Sequence, residues 1–295
     1  MMTITSDHPS APFSVTKGTE SFTIREARRD ELDAIGWAAA EAFINDAVVH
    51  YIAGAKKPMS ATNEKDLRGV YDFYYFLFKA CMISEGRAII AVPDASESTS
   101  SNTKTTISAA ACWYPPKHRI KAFIALRGGL IKCIRNWGFP SLDRMAGDFE
   151  DTTHEVCKRA FEAKAMEFPA SASKRARKVL EWDDAWYLAV AFSSKKYEGR
   201  GFLSTLMREG YAHMQRTTPG IPVTLESSSS RSRDRYIHLG FELMEPQTIL
   251  GVGKVTPLGI APLDKEQARK QKDELTGMPY YNMVNWDPSK SLGNR

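Results

Sequence analysis

The stretch from Trp186 to Met207 constrains the fold of this 295-residue chain more than any other. It begins with an apolar run rich in aromatic and β-forming residues that ends at Phe192, passes through a polar turn containing Gly199 and Gly201, and continues with apolar residues at helical spacing. The pattern predicts a strand, a glycine turn and the start of a helix. Such a junction leaves backbone N–H groups unpaired at the positive end of the helix dipole, and glycine lets an anion approach them. The turn is therefore a candidate site for a diphosphate, with an ordinary strand-to-helix turn as the alternative.

A second unit of the same kind follows immediately. Val223 to Ser227 is predicted to be a strand, a serine-rich loop comes next, and a short helix is predicted around Asp234 to Leu239. A Gly-Phe pair after this helix leads into a further strand that is predicted over Glu242 to Gly251. Two strand-turn-helix units then stand side by side.

Four short motifs in these two units resemble the GNAT superfamily of acetyl-CoA-dependent N-acetyltransferases. They are Trp186-Tyr-Leu, Gly199-Arg-Gly, Leu225-Glu-x-Ser and Tyr236-x-x-Leu-Gly-Phe. Within the superfamily, the chain resembles the branch that includes puromycin N-acetyltransferase, where the Trp-Tyr-Leu strand runs without a gap into Gln-Gly-(Lys/Arg)-Gly-x-Gly. The resemblance extends over roughly residues 22 to 286 and is specific only between the first and the last of these motifs.

The resemblance implies a set of residues that contact acetyl-CoA. The backbone amides of the glycine turn would hold the coenzyme A pyrophosphate, a bulge near Phe192 and Ser193 would pair with the pantetheine arm, and Ser232 stands where the family often has an asparagine. The expected cofactor-binding residues are Phe192, Ser193, Glu198, Gly199, Arg200, Gly201, Phe202, Leu203, Ser204 and Ser232. Arginine suits phosphate, and three arginines are candidates for the 3′-phosphate of the coenzyme, with a solvated loop as the alternative: Arg231, Arg233 and Arg235.

Three positions of the turn depart from the family pattern. Glu198 stands where Gln or Arg is usual, Leu203 where Gly or Ala is usual, and Lys195 where Pro is usual. A carboxylate beside a pyrophosphate is unfavourable unless it turns outward or pairs with a cation. An alternative register, Lys196-x-x-Gly-x-Gly201, fits the generic pattern equally well.

The resemblance also implies catalytic residues. Acetyl transfer to an amine needs a free amine and an acid that protonates the departing thiolate. Tyr236 occupies the position of that acid in the family, and a ring that only packs on the cofactor is the alternative. Glu226 is the expected general base, with three further acidic residues as alternatives: Glu181, Asp183 and Asp184.

The expected architecture is an α/β (α+β) fold with a mixed, mostly antiparallel twisted sheet flanked by helices. Residues 1–20 are rich in Ser, Thr and Pro and are predicted to form a flexible arm, followed by one domain over residues 21–290. Helical periodicity dominates residues 117–180, which indicates an insertion between the third and fourth predicted strands. In the resembling branch an insertion at this place frames the acceptor pocket.

Composition and charge limit the cellular locations and the binding partners that the sequence predicts. The net charge of +5 suits an anionic cofactor without predicting a nucleic-acid partner. The four cysteines are widely spaced and show no zinc-ligand spacing, so neither a disulfide framework nor a metal is expected. No apolar run reaches the length of a membrane span and no secretory signal is recognised, which predicts a cytoplasmic protein without a membrane partner. A homodimer is kept as an open alternative.

The resemblance implies an acetyl-CoA-dependent N-acetyltransferase that transfers acetyl directly to a primary amine, without a covalent enzyme intermediate. A small-molecule amine is the expected acceptor. Two alternatives stay open. One is a protein lysine or N-terminal acetyltransferase, and the other is a non-catalytic acyl-CoA-binding protein.

Overall fold

A nine-stranded sheet forms the centre of the computed structural model, which describes residues 11–94, 105–167 and 181–292. The strand order is β1-β2-β3-β4-β5-β6-β9-β7, and β8 also pairs with β9. The strands are β1 (Phe13–Lys17), β2 (Glu20–Glu26), β3 (Arg87–Pro93), β4 (Ala109–Tyr114), β5 (Trp186–Ser193), β6 (Val223–Ser227), β7 (Glu242–Leu243), β8 (Thr248–Leu250) and β9 (Met278–Asn285). All neighbouring pairs are antiparallel except β5 and β6, which are parallel. This confirms the predicted mixed, mostly antiparallel sheet.

Helices cover both faces of the sheet. They are α1 (Leu32–Phe43), α2 (Ala47–Ala53), α3 (Glu64–Ile83), α4 (Ala122–Gly128), α5 (Leu130–Trp137), α6 (Thr152–Met166), α7 (Phe202–Thr217), α8 (Ser230–His238) and α9 (Lys265–Lys270). A short helical turn, Pro140–Leu142, and a π-helical segment, Asp143–Asp151, connect α5 to α6.

Alternation along the strands divides the core into two layers. In β3, Ile90 packs with α1 and α3, while its neighbour Ile89 packs with α7 on the opposite face. The α7 layer is tight, because a Cβ atom at Gly210 would lie 2.6 Å from the Trp113 ring of β4. Glycine at this position therefore lets α7 lie directly on the sheet.

Residues 117–180 were predicted to be a helical insertion, and all regular structure described within them is helical. In strand numbering that includes β1, the insertion lies between β4 and β5, and residues 168–180 lie outside the described part. Helices α4 and α5 pack against α3. Helix α6 packs on the far end of the sheet, where Phe161 contacts Trp286 at a ring distance of 4.8 Å.

The structure corrects three local predictions. Residues 13–17 of the expected arm form strand β1, paired with β2, whereas residues 1–10 lie outside the described part. The strand predicted over Glu242 to Gly251 is divided into β7 and β8. Helix α8 begins at Ser230 and so precedes the predicted start, because the Ser229 hydroxyl accepts a hydrogen bond from the Ser232 backbone and caps the helix earlier.

Within the described residues, no helix is both long and apolar enough to cross a bilayer. The same part of the chain holds no cluster of three His, Cys, Asp or Glu side chains arranged to bind a metal ion.

Candidate functional site

The parallel strands β5 and β6 separate after their first three residues. The register pairs Trp186 with Val223 and ends at Leu188 with Leu225, although both strands continue. The rest of β5 pairs only with β4 among its neighbours, so its other edge faces an opening. Unpaired backbone groups along such an edge are available to an amide-containing ligand.

A bulge accompanies the separation. The pairing of β4 with β5 jumps from Leu188 to Val190, which leaves Ala189 without a partner. The extra residue reverses the alternation, because Leu188 packs with α7 while Val190 and Phe192 pack in the α1 and α3 layer. The bulge was expected near Phe192 and Ser193, and that position is wrong by a few residues.

The glycine turn delivers the start of α7 to this opening. Gly199 and Gly201 have φ angles of 77° and 75°, the left-handed region that favours glycine, and Gly201 immediately precedes the first residue of the 16-residue helix. A Cβ atom at Gly199 would meet nothing within 4 Å. Gly199 therefore leaves room for a ligand backbone or phosphate close to the N-terminus of α7, where helix amides are without an intrahelical partner.

A cavity of about 560 Å³ lies beside this turn, and we call it the turn cavity. Six of the expected cofactor residues line it: Ser193, Gly199, Gly201, Phe202, Leu203 and Ser204. Arg208 of α7 and Arg235 of α8 also line it, and neither forms an ion pair with a described residue. The cavity thus combines helix N–H groups with two cationic side chains, which suits a polyanion.

Other expected cofactor residues lie elsewhere. Glu198 and Arg200 do not line the turn cavity, and the Arg200 guanidinium forms an ion pair with Glu20 of β2. Phe192 is buried against Phe43 and Phe78. Of the three candidate arginines, Arg235 alone lines the cavity.

A second cavity, of about 520 Å³, lies where β5 and β6 separate, and we call it the β5–β6 cavity. Aromatic and aliphatic side chains from α1, α3 and the insertion form most of its lining. Its polar and charged side chains include those of Asp46, Arg119, Glu150, Tyr187, Glu226, Ser232 and Tyr236. The structure therefore brings both expected catalytic residues into one cavity.

Glu226 has an unusual carboxyl group. Burial raises its pKa to about 7, against a partial opposing effect from the Tyr187 hydroxyl, which donates a 2.6 Å hydrogen bond to Oε2. The Arg119 guanidinium also lowers this pKa, and the Glu150 carboxyl raises it. A carboxyl group with a pKa near neutrality can take and release a proton under ordinary conditions.

Arg119 is the cation whose charge lowers the pKa of the Glu226 carboxyl group. Its guanidinium stacks over the Tyr187 ring at 4.5 Å and the Trp182 ring at 5.2 Å. Nη2 donates long hydrogen bonds to the Trp182 and Ala185 carbonyls, at 3.4 and 3.5 Å, while Nε and Nη1 are buried without a hydrogen-bond partner among the described residues. Nε lies 3.7 Å from Asp183.

Tyr236 projects from α8 into the same cavity. Its side chain is buried, its ring packs edge-on against Phe241, and burial raises the pKa of its hydroxyl. No described residue forms a hydrogen bond with its hydroxyl. The phenol is therefore protonated near neutrality and free to donate.

A serine network holds the loop between β6 and α8. The Ser232 hydroxyl lies 2.6 Å from the Ser227 hydroxyl and 2.7 Å from that of Ser229. Next to it, Ser228 donates to the Asp46 carboxyl, which also caps α2. Ser232 thus lines the cavity with its hydroxyl already engaged.

Sequence reasoning missed part of this site. Arg119, Glu150 and Arg208 carry no motif, and they come from segments far apart in the chain. Among the alternative bases, Asp184 pairs with Lys117 and Asp183 faces Arg119, and neither they nor Glu181 line the β5–β6 cavity. Of the four acidic candidates, Glu226 alone lines that cavity.

Comparison with known proteins finds similarity at the level of structure. No family model and no curated protein matches the sequence. A yellow fever mosquito (Aedes aegypti) structure named arylalkylamine N-acetyltransferase 7 is 12% identical, covers 95% of this chain and 97% of its own, and superposes with a TM-score of 0.51. The chain has the GNAT fold.

Two further structures are similar to this chain over most of its length. A Drosophila melanogaster polyamine N-acetyltransferase is 14% identical, with 89% of this chain and 98% of its own covered and a TM-score of 0.44. A histone acetyltransferase-related protein from Corynebacterium glutamicum is 16% identical, with 89% and 94% covered and a TM-score of 0.46. At these identities the likeness concerns the fold, and the puromycin N-acetyltransferase branch stays a prediction.

Proposed function

We propose that the protein is an acetyl-CoA-dependent N-acetyltransferase acting on a small primary amine. One observation carries this proposal: Glu226, with a pKa of about 7, shares an aromatic cavity with the unpaired phenol of Tyr236 at the opening between β5 and β6. A base that accepts the proton of an ammonium and an acid that donates to a leaving thiolate are the two groups that acetyl transfer needs.

The residues present fit coenzyme A. The amides at the start of α7, together with Arg208 and Arg235, would hold its phosphates, and the free edge of β5 beyond Ala189 would pair with the amides of the pantetheine arm. When bound there, the cofactor supplies an acetyl thioester. The chain's own contribution is to orient it, exclude water and move protons at Glu226 and Tyr236.

The β5–β6 cavity also favours an acceptor class. Rings such as Phe43, Tyr74 and Phe149 line this cavity together with the carboxyl groups of Glu226 and Asp46. An aromatic or apolar body with one ammonium group matches this lining, in keeping with the arylalkylamine named for the similar mosquito protein. A protein acceptor would need a groove open to a polypeptide, and this aromatic lining favours a small molecule instead.

Calorimetric titration with acetyl-CoA tests the cofactor site. We expect saturable binding that is lost in Gly201→Glu, because a carboxylate at the start of α7 repels phosphate. Gly220→Glu is the matched control, since Gly220 has the same positive φ and a Cβ atom there would meet nothing within 4 Å. Equal binding by both variants would contradict the assignment of the turn cavity.

Thiol release from acetyl-CoA over a panel of amines tests catalysis. We expect turnover with at least one arylalkylamine, and a loss of turnover in Tyr236→Phe with unchanged acetyl-CoA affinity. A non-catalytic acyl-CoA-binding protein is the second candidate, favoured by Leu203, which lines the turn cavity where the family has Gly or Ala. Binding without turnover on any amine would support that second candidate.

A further inference from the structure

Helices α4 and α5 belong to a segment whose charged residues are all basic. Between residues 117 and 142 the chain contains no Asp or Glu. The basic residues of the segment, besides His118, are Lys117, Arg119, Lys121, Arg127, Lys132 and Arg135. Lys117 pairs with Asp184, and Arg119 faces the β5–β6 cavity, so both are engaged with the protein.

One side of the two helices is fixed to the protein. Ile124, Ala125 and Cys133 are buried, and a Cβ atom at Gly128 would lie 3.0 Å from the Phe76 ring of α3. Asn136 donates a 2.9 Å hydrogen bond to the Asp72 carboxyl of α3. The helices are thus held in a fixed orientation on α3.

The opposite side is both apolar and cationic. Phe123, Leu126 and Ile131 expose 56%, 56% and 55% of their surface, and Phe139 just after α5 exposes 75%. Three cations of the two helices are also exposed, and none of the three forms an ion pair with a described residue: Lys121, Arg127 and Arg135. Lys132 instead lies over the Tyr75 ring of α3, at 5.5 Å. We call the four apolar residues and these three cations the α4–α5 surface.

We propose that the α4–α5 surface binds an anionic lipid bilayer by lying on it. Adjacent exposed apolar side chains and unpaired cations, with no carboxylate in the segment, match the two attractions that hold an amphipathic helix at a bilayer: burial of rings and aliphatic chains below the headgroups, and attraction to anionic lipid. The long stems of Lys and Arg can reach the headgroups while their neighbours enter the apolar region.

This inference is independent of the proposed enzymatic function, and it revises the expectation of no membrane partner. That expectation rested on the lack of a spanning segment, whereas a surface helix needs only one apolar side. Since Ala122, Ala125 and Leu130 of the same helices line the β5–β6 cavity, bilayer binding would hold that cavity next to the lipid headgroups.

Co-sedimentation with vesicles tests the proposal. The purified full chain is mixed with vesicles of phosphatidylcholine alone, or of phosphatidylcholine with phosphatidylserine, at low and at physiological salt. We expect binding to the phosphatidylserine vesicles that weakens as salt screens the cations, and much weaker binding to phosphatidylcholine alone.

Two variants separate the two attractions. Lys121→Gln with Arg135→Gln should weaken binding to anionic vesicles roughly fivefold for each cation removed. Phe139→Ser should weaken binding about tenfold or more through lost apolar burial. The controls are the double variant Lys265→Gln with Lys254→Gln and the single variant Leu263→Ser. They remove exposed side chains outside the surface and should leave binding unchanged.

Three outcomes would overturn the proposal. The first is a lack of binding to phosphatidylserine vesicles, and the second is that the control variants weaken vesicle binding as much as the surface variants do. The third is that the chain does not bind vesicles but self-associates in analytical ultracentrifugation, and that Phe139→Ser abolishes this self-association. The last result would assign the surface to a second copy of the chain. An unchanged melting temperature in every variant ensures that lost binding is not lost folding.

Discussion

At the scale of single residues, the carboxyl group of Glu226 sets the pH dependence of the site. Its pKa is raised to about 7, and the base is active only when deprotonated. We expect kcat/KM of the wild type to rise with pH through about 7 and then level off. In Glu226→Gln we expect most of the activity to be lost and the rising part of the profile to disappear. A rate profile over the neutral range checks this, and a midpoint near the ordinary carboxyl value would contradict it.

The neighbours of Glu226 should move that midpoint in opposite directions. The Arg119 cation and the Tyr187 hydroxyl lower the Glu226 pKa, whereas the Glu150 carboxyl raises it. We therefore expect the midpoint of the pH profile to move to higher pH in Tyr187→Phe and to lower pH in Glu150→Gln. Shifts of the same sign in both variants would show that general disturbance of the cavity, and not charge, controls the titration.

The buried Glu226 carboxyl group also lowers the free energy of unfolding as the pH rises toward neutrality. Its folded pKa of about 7 lies above the ordinary value of 4.5, so the native state holds the proton more tightly between those two pH values. Stability is then greatest below the lower value and falls as pH rises to the upper one. We expect Glu226→Gln to raise the free energy of unfolding by about 1–3 kcal/mol above neutrality and to change it little in mild acid, measured by urea unfolding. A pH-independent gain would contradict this.

At the scale of elements, the close contact between α7 and the sheet depends on Gly210. A Cβ atom there would lie 2.6 Å from Trp113, which is itself fully buried. We expect Gly210→Ala to lower the free energy of unfolding by about 1–3 kcal/mol through overpacking, in denaturant titration. Gly147→Ala is the control, because a Cβ atom at Gly147 meets nothing within 4 Å. An equal loss in both variants would point to backbone effects instead.

The strands and helices could be predicted where the signal was local. The β5-turn-α7 and β6-loop-α8 units follow from apolar periodicity and turn glycines within a short window. Strand β1 was missed because it is an exposed edge strand, with Phe13 39% exposed and little apolar alternation. The bulge at Ala189 was misplaced because the residues from Trp186 to Phe192 are all apolar, so the sequence does not mark where the buried face changes. Only the pairing with β4 reveals that the buried face changes between Leu188 and Val190.

At the scale of the whole molecule, the site combines residues that no local pattern connects. Glu226 and Tyr236 were predicted because they lie within a resembling motif. Arg119 and Glu150 come from the insertion and act on Glu226 across the cavity, while Asp46, which caps α2, lines the same cavity. Long-range packing of this kind leaves no spacing in the sequence. The cofactor half of the site was therefore easier to predict than the acceptor half.

The turn cavity lies at the start of α7, and the β5–β6 cavity lies between β5 and β6. Because the two cavities are at different places, cofactor binding at the first can be measured separately from the role of Glu226 in the second. Acetyl-CoA at about a hundred times its Kd should stabilise the native chain by about 2.7 kcal/mol, which raises the melting temperature by roughly 5 °C. We expect this shift in the wild type, in Glu226→Gln and in Gly220→Glu, but not in Gly201→Glu, because the phosphates are held at the turn cavity. Differential scanning fluorimetry measures all four. If Glu226→Gln also removed the shift, the base would contribute to cofactor binding, and its assignment to the acceptor side would be wrong.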